Sequence, residues 1–166
     1  EARRKRIDLL ESVNDKLEKL RDAGEIRPSQ LKTLVSNKKE LIRLKRIHRA
    51  EYDVLYFGME YFSEDGNPDN PDNLIPSGVN VSNAARFHKL LTDMLDDVTR
   101  GNADRHIAWA CPRRHAKTAW LSNIFLVHQI VFRHKRYIVL FSETTDTAGD
   151  FITWGRYQLK LNEKLR

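Results

Sequence analysis

Cys111-Pro112-Arg113-Arg114-His115-Ala116-Lys117-Thr118 is the stretch on which the fold turns. It is polar and basic, and it sits between two apolar segments of different character. Before it, His106-Ile107-Ala108-Trp109-Ala110 is a short apolar run of the length of a buried strand. After it, residues 119–132 are apolar on nearly every side (Trp120, Leu121, Ile124, Phe125, Leu126, Val127, Ile130, Val131), the mark of a helix enclosed by other elements. Tyr137-Ile138-Val139-Leu140-Phe141 follows, an uninterrupted apolar run of the kind found in the central strands of parallel sheets. Thr144 or Thr145 then caps a helix that carries Ala148, Phe151, Ile152 and Leu159 on one face. Strand, loop, helix, strand, helix predicts a right-handed βαβ unit. With Lys117-Thr118 closing the basic loop, as lysine and a hydroxyl residue close phosphate-binding loops, the expected fold class is α/β: a P-loop NTPase-type parallel sheet with flanking helices, incomplete in this chain, preceded by an N-terminal helical hairpin.

The octapeptide places Lys117 and Thr118 where the phosphate-binding pattern G-x-x-x-x-G-K-[ST] has its lysine and hydroxyl residue. Backbone N–H groups of such a loop surround a phosphate, and the positive end of the following helix points at the anion. Lys117 then adds a point charge and the Thr118 hydroxyl a ligand for Mg²⁺, so ATP and Mg²⁺ are the expected ligands. Cys111 and Ala116 stand where the pattern has glycines. Ala116 is small enough for close approach of the backbone but is strained at positive φ. A basic turn that merely caps a βα unit is the competing interpretation.

Upstream, Ser82 or Asn83 is placed to cap a helix with Phe87, Leu90, Leu91, Met94, Leu95 and Val98 at helical spacing, ended by Gly101. Asp65-Gly66-Asn67-Pro68-Asp69-Asn70-Pro71-Asp72 is one turn-former after another. Residues 51–62 are aromatic and acidic and suit a further helical stretch. Ile7, Leu10, Val13, Leu17 and Leu20 form an amphipathic stripe, Gly24 to Pro28 stops it, and Leu31, Leu34, Leu41 and Leu44 continue a second helix capped by Ser29. The expected organisation is a basic helical appendage over 1–64, a loop over 65–80, and the N-terminal portion of an ATPase domain over 81–166.

Charge follows the same division. Residues 1–50 hold 15 Lys/Arg against 8 Asp/Glu, a net +7; residues 51–100 hold 3 against 10, a net −7; residues 101–166 hold 11 against 5, a net +6. Segments so different in charge have different neighbours. The single cysteine cannot form an internal disulfide, and no apolar run approaches the roughly 18 residues of a membrane span. His106, His115, His128 and His134 lack the paired spacing of a zinc site.

The loop resembles the degenerate Walker A segment of phage terminase large subunits, which often reads Pro-Arg-Gly/Arg-His-Ala/Gly-Lys-Ser/Thr. Tyr137 to Phe141, Ser142-Glu143-Thr144 and Ala148 match the same proteins in order, and Phe87-His88 resembles an upstream feature of theirs. The likeness spans residues 84–166 and is strongest over the loop. It implies an ATP hydrolase that drives double-stranded DNA into a procapsid, with an endonuclease in a downstream domain. The implied nucleotide site is Pro112, Arg113, Arg114, His115, Ala116, Lys117 and Thr118. Lys117 and Thr118 hold phosphate and Mg²⁺, Arg113 acts on the γ-phosphate, and His115 shapes the loop. Arg114 stands where the family often has glycine, which leaves its role open. Glu143 is expected to be structural rather than the catalytic base. The resemblance also implies partners (the terminase small subunit, the portal protein, further copies in a ring, no membrane) and the host-cell cytoplasm. The acidic pair such motors need is absent from 137–166, so the chain is expected to be a fragment that does not hydrolyse ATP alone. Two alternatives stand beside this: another P-loop nucleic-acid motor, or a non-catalytic adaptor with a pseudo-P-loop. The missing glycines favour the adaptor, and the intact Lys117-Thr118 pair favours a motor.

Overall fold

The computed structural model describes residues 1–102, 107–111 and 113–165. The chain falls into two compact units, Glu1–Ala50 and Glu51–Arg166.

The first unit is a hairpin of α1 (Ala2–Asp22) and α2 (Pro28–Ala50). Ile7, Leu10 and Asn14 from α1 and Leu34 from α2 are buried, as the three- and four-residue spacing requires. Gly24, at φ +73°, makes the left-handed step out of α1. Pro28 opens α2, where its missing N–H costs nothing. Ser29, expected as the cap, is already the second helical residue; instead the Arg27 N–H donates to the Gln30 side-chain oxygen at 2.9 Å. Ion pairs Arg6–Glu40 (3.1 Å), Lys38–Glu18 (2.5 Å) and Lys45–Glu11 (2.5 Å) stitch the helices together. All three are well exposed, so water and salt screen them and they add little to stability. Asn14 is buried, and neither of its amide atoms has a hydrogen-bond partner among the described residues.

The second unit is built around α3 (Val54–Phe62), nine residues of which Val54, Leu55, Phe57, Gly58, Met59, Tyr61 and Phe62 are buried. Two carboxylates hold its N-terminus. Asp53 accepts from the Tyr56 N–H at 2.7 Å, and Asp96, 8% exposed, accepts from the Val54 N–H at 2.8 Å. Burial pushes the Asp96 carboxyl up to about 6, against the lowering effect of the Val54 bond. Asp96 belongs to α4 (Arg86–Arg100), which ends at the left-handed Gly101. A π-helical turn, Ala119–Ile124, runs directly into α5 (Phe125–Val131), and α6 (Thr145–Leu161) follows with Thr144 as its cap. A 3₁₀ turn, Glu163–Leu165, closes the chain's described part. Trp120 and Ile124 reach the face of α3 at Gly58, where a Cβ would lie 2.5 Å from the Trp120 ring.

The turn-rich loop is anchored rather than free. Asn67 Nδ2 donates to Asn162 Oδ1 at 2.8 Å, and Asn70 Nδ2 donates to Gln158 Oε1 at 3.1 Å, both buried. Asn162 Nδ2 also donates to the Tyr61 carbonyl at 3.0 Å. The end of α6, the end of α3 and the loop thus share one amide network.

The expected parallel sheet is not present. The described residues form helices and turns, and their only β-type contact is an isolated parallel bridge between Ser63 and Ile75. Residues 107–110 and 137–141, both expected as strands, carry no regular structure; His106, the first of the expected run, lies outside the described residues. A helix closes its hydrogen bonds within itself, whereas a strand needs another chain segment alongside. Among the described residues the main chain of 137–141 makes no hydrogen bond. Tyr137 is 85% and Phe141 93% exposed, so the run is apolar in composition without being buried.

Candidate functional site

The loop is braced from α4 and from its own helix. His88 donates from Nε2 to the His115 carbonyl at 3.1 Å, and His115 donates from Nδ1 to the Arg113 carbonyl at 2.9 Å. The Phe87 ring stands 5.9 Å from that of His115 and 5.7 Å from that of Trp109, while His88 lies 5.8 Å from Trp120. The Phe87-His88 pair, noticed in the sequence only for its resemblance, is therefore what holds the turn against α4.

The backbone of the turn alternates in hand. Arg114 (φ +68°) and Ala116 (φ +52°) are left-handed, His115 between them is not, and Lys117 begins the helix. Such alternation turns successive N–H groups toward one point and makes an anion-binding concavity. Neither left-handed residue is glycine, so the conformation is strained by about 1 kcal/mol or more per residue. The helix continues from 117 to 131, and its first described bond here is Trp120 N–H to the Ala116 carbonyl, at 3.1 Å. The N–H groups before Trp120 lie in the first turn, where an α-helix offers no internal acceptor.

Arg113, Arg114, His115, Ala116 and Thr118 are exposed, and Lys117 is half-buried. Pro112 lies outside the described residues. Lys117 Nζ reaches back across the turn to the Cys111 carbonyl at 3.5 Å, a long bond easily exchanged for a better acceptor. No ion pair engages Arg113, Arg114 or Lys117 among the described residues. Residues 105–142 contain no Asp or Glu, yet they include Arg105, Arg113, Arg114, Lys117, Arg133, Lys135 and Arg136. The sequence around the turn is therefore basic throughout, a composition that suits an anionic ligand.

No family profile, curated protein or solved structure matches this chain.

The remaining candidates are placed apart from the turn. Ser142, Glu143 and Thr144 are exposed, and none makes a hydrogen bond or ion pair to the loop among the described residues. Thr144, not Glu143, caps α6, accepting from the Thr147 N–H at 3.2 Å. His128 is fully buried beside Phe57 and Phe132, with ring centroids 4.9 and 5.1 Å away, and stacks on His134 at 5.4 Å. No helix of the described residues is long and apolar enough to cross a membrane.

Proposed function

We propose that the turn over 111–118 binds the phosphates of ATP, and that the chain is part of a nucleotide-driven motor acting on double-stranded DNA, of the viral genome-packaging type. The observation that supports it is the left-handed backbone at Arg114 and Ala116, directly before a helix that begins with Lys117. Such strain at non-glycine residues is kept where the surrounding structure enforces it, here through His88 and Phe87. Backbone N–H groups of the turn and the Lys117 ammonium are the phosphate donors; the exposed Thr118 hydroxyl is the Mg²⁺ ligand; Arg113 is the cation for the γ-phosphate. Bound ATP and Mg²⁺ supply the phosphoanhydride and its charge-neutralising cation. Association with a small subunit, a portal and further copies of the chain belongs to the same proposal by resemblance only.

A non-catalytic adaptor is the second interpretation, favoured by Cys111 and Ala116 at the glycine positions and by the lack of an acidic residue near the turn in sequence. Titration of the chain with a fluorescent ATP analogue and Mg²⁺ separates the two. Lys117→Ala is expected to weaken binding about tenfold to a hundredfold, the worth of a charged hydrogen bond at ~1.5–3 kcal/mol, with the circular dichroism unchanged. No binding by the parent chain, or equal binding by the variant, overturns the assignment.

A further inference from the structure

The outer side of α2 carries a second stripe that the hairpin does not use. Leu31, Val35 and Ile42 are 43%, 50% and 68% exposed, and they recur at steps of four and seven. In a seven-residue repeat lettered a to g, with Leu31 at d, Val35 and Ile42 both fall at a. Lys32 and Lys39 then both fall at e, the position that flanks a helix–helix seam. β-Branched residues at a with leucine at d favour pairing with one further helix. Lys38, the intervening d residue, is drawn aside to Glu18 at 2.5 Å. Leu31, Lys32, Val35, Ser36 and Lys39 line a surface hollow of about 400 Å³.

Charge selects the partner. The one acidic residue of α2, Glu40, is held by Arg6, and Lys32, Lys39 and Arg43 have no ion pair among the described residues. We propose that this face of α2 docks one short amphipathic helix of a partner protein, apolar along its seam and acidic along its flanks. A second copy gives these lysines no acidic neighbour, since antiparallel pairing sets Lys32 and Lys39 against their own kind and parallel pairing sets them against Leu34 and Leu41. A nucleic acid satisfies the lysines but leaves three aliphatic side chains in water. The inference is independent of nucleotide binding at 111–118.

The test uses the whole chain and synthetic three-heptad peptides with Ile at a, Leu at d, and Glu at every e and g. Fluorescence anisotropy is expected to show binding of the Glu peptide but not of the same peptide with Lys at e and g. Val35→Ser with Ile42→Ser, which leaves charge unchanged, is expected to weaken binding about tenfold or more. Lys32→Glu with Lys39→Glu is expected to reverse the preference toward the Lys peptide. All four positions are exposed, and an unchanged circular dichroism spectrum confirms that each variant keeps its helices. Binding of the Glu peptide that ignores the serine pair, a charge swap without reversal, or a chain that dimerises through this face or binds only duplex DNA through it overturns the proposal.

Discussion

Asp96→Asn tests the energetics of the second unit where they are most legible. The Asp96 carboxyl is buried at the N-terminus of α3, and it titrates at about 6 rather than the ordinary 3.8. At roughly 1.4 kcal/mol per pH unit that gap sets an upper bound of about 3 kcal/mol, which partial solvent screening reduces to about 1–2 kcal/mol. Because the folded value is raised, the folded chain holds the proton more tightly than the unfolded one. Below about pH 3 the group is protonated in both states and costs nothing. As pH rises through 4 to 6 the unfolded chain releases its proton first, so folding stability falls and the full cost is present by about pH 7. This is the opposite of a carboxylate stabilised by a salt bridge. Asparagine keeps an oxygen for the Val54 N–H and removes both the buried charge and its repulsion by Asp53 and Asp93. Urea unfolding followed by tryptophan fluorescence reports this unit alone, since Trp109, Trp120 and Trp154 all lie within it. The variant is expected to match the parent at about pH 3 and to exceed it by about 1–2 kcal/mol at pH 7.5. A difference that is the same at both pH values, or a variant weaker at pH 7.5, refutes the reasoning.

Three further outcomes are expected. Asn14→Leu replaces two buried, unpaired amide atoms by methyl groups and should stabilise the hairpin by about 1–2 kcal/mol, read as slower hydrogen exchange along α1; unaltered exchange would show that the amide is satisfied in solution. Gly58→Ala gains up to about 1 kcal/mol of helix propensity but drives a Cβ to 2.5 Å from Trp120, which is buried and enclosed. Overpacking at about 1–3 kcal/mol outweighs that gain, so the melting temperature should fall; a rise would mean that Trp120 swings away freely. Thr144→Ala removes the cap of α6 and should cost about 1 kcal/mol, with Thr144→Ser restoring it.

Periodicity located the helices better than it located their faces. The hairpin was legible because its apolar spacing and the Gly24–Pro28 stop agree, and Thr144 and Gly101 cap as their chemistry dictates. On α4 the apolar pattern named Phe87, Leu90, Leu91, Met94, Leu95 and Val98; Leu91 and Leu95 are buried, but Leu90 is exposed and the buried side adds Thr92, Asp96 and Thr99. Hydrogen bonds make that polar face possible. Thr92 and Thr99 donate to carbonyls of their own helix, Gln129 donates to Thr99, and Asp96 serves α3. No apolar count registers such partners. The links from Asn67 and Asn70 to Asn162 and Gln158 span most of the second unit in sequence and leave no local pattern at all. The sheet failed for a related reason: composition shows that Tyr137 to Phe141 suits a strand, but not that anything lies beside it. In the candidate site, residue types and spacing were legible, whereas the left-handed turn and its brace on His88 were not.

Tyr137 to Phe141 also has a practical side. Tyr137, Ile138, Val139 and Phe141 are of high β-propensity and exposed, the five-residue run is uncharged and without proline, and its main chain makes no hydrogen bond among the described residues. Segments of that kind stack readily into cross-β aggregates. Arg133, Lys135 and Arg136 on one flank and Glu143 on the other are the charges that oppose such stacking, so solubility of this chain should decline first with rising salt, well before its helices melt.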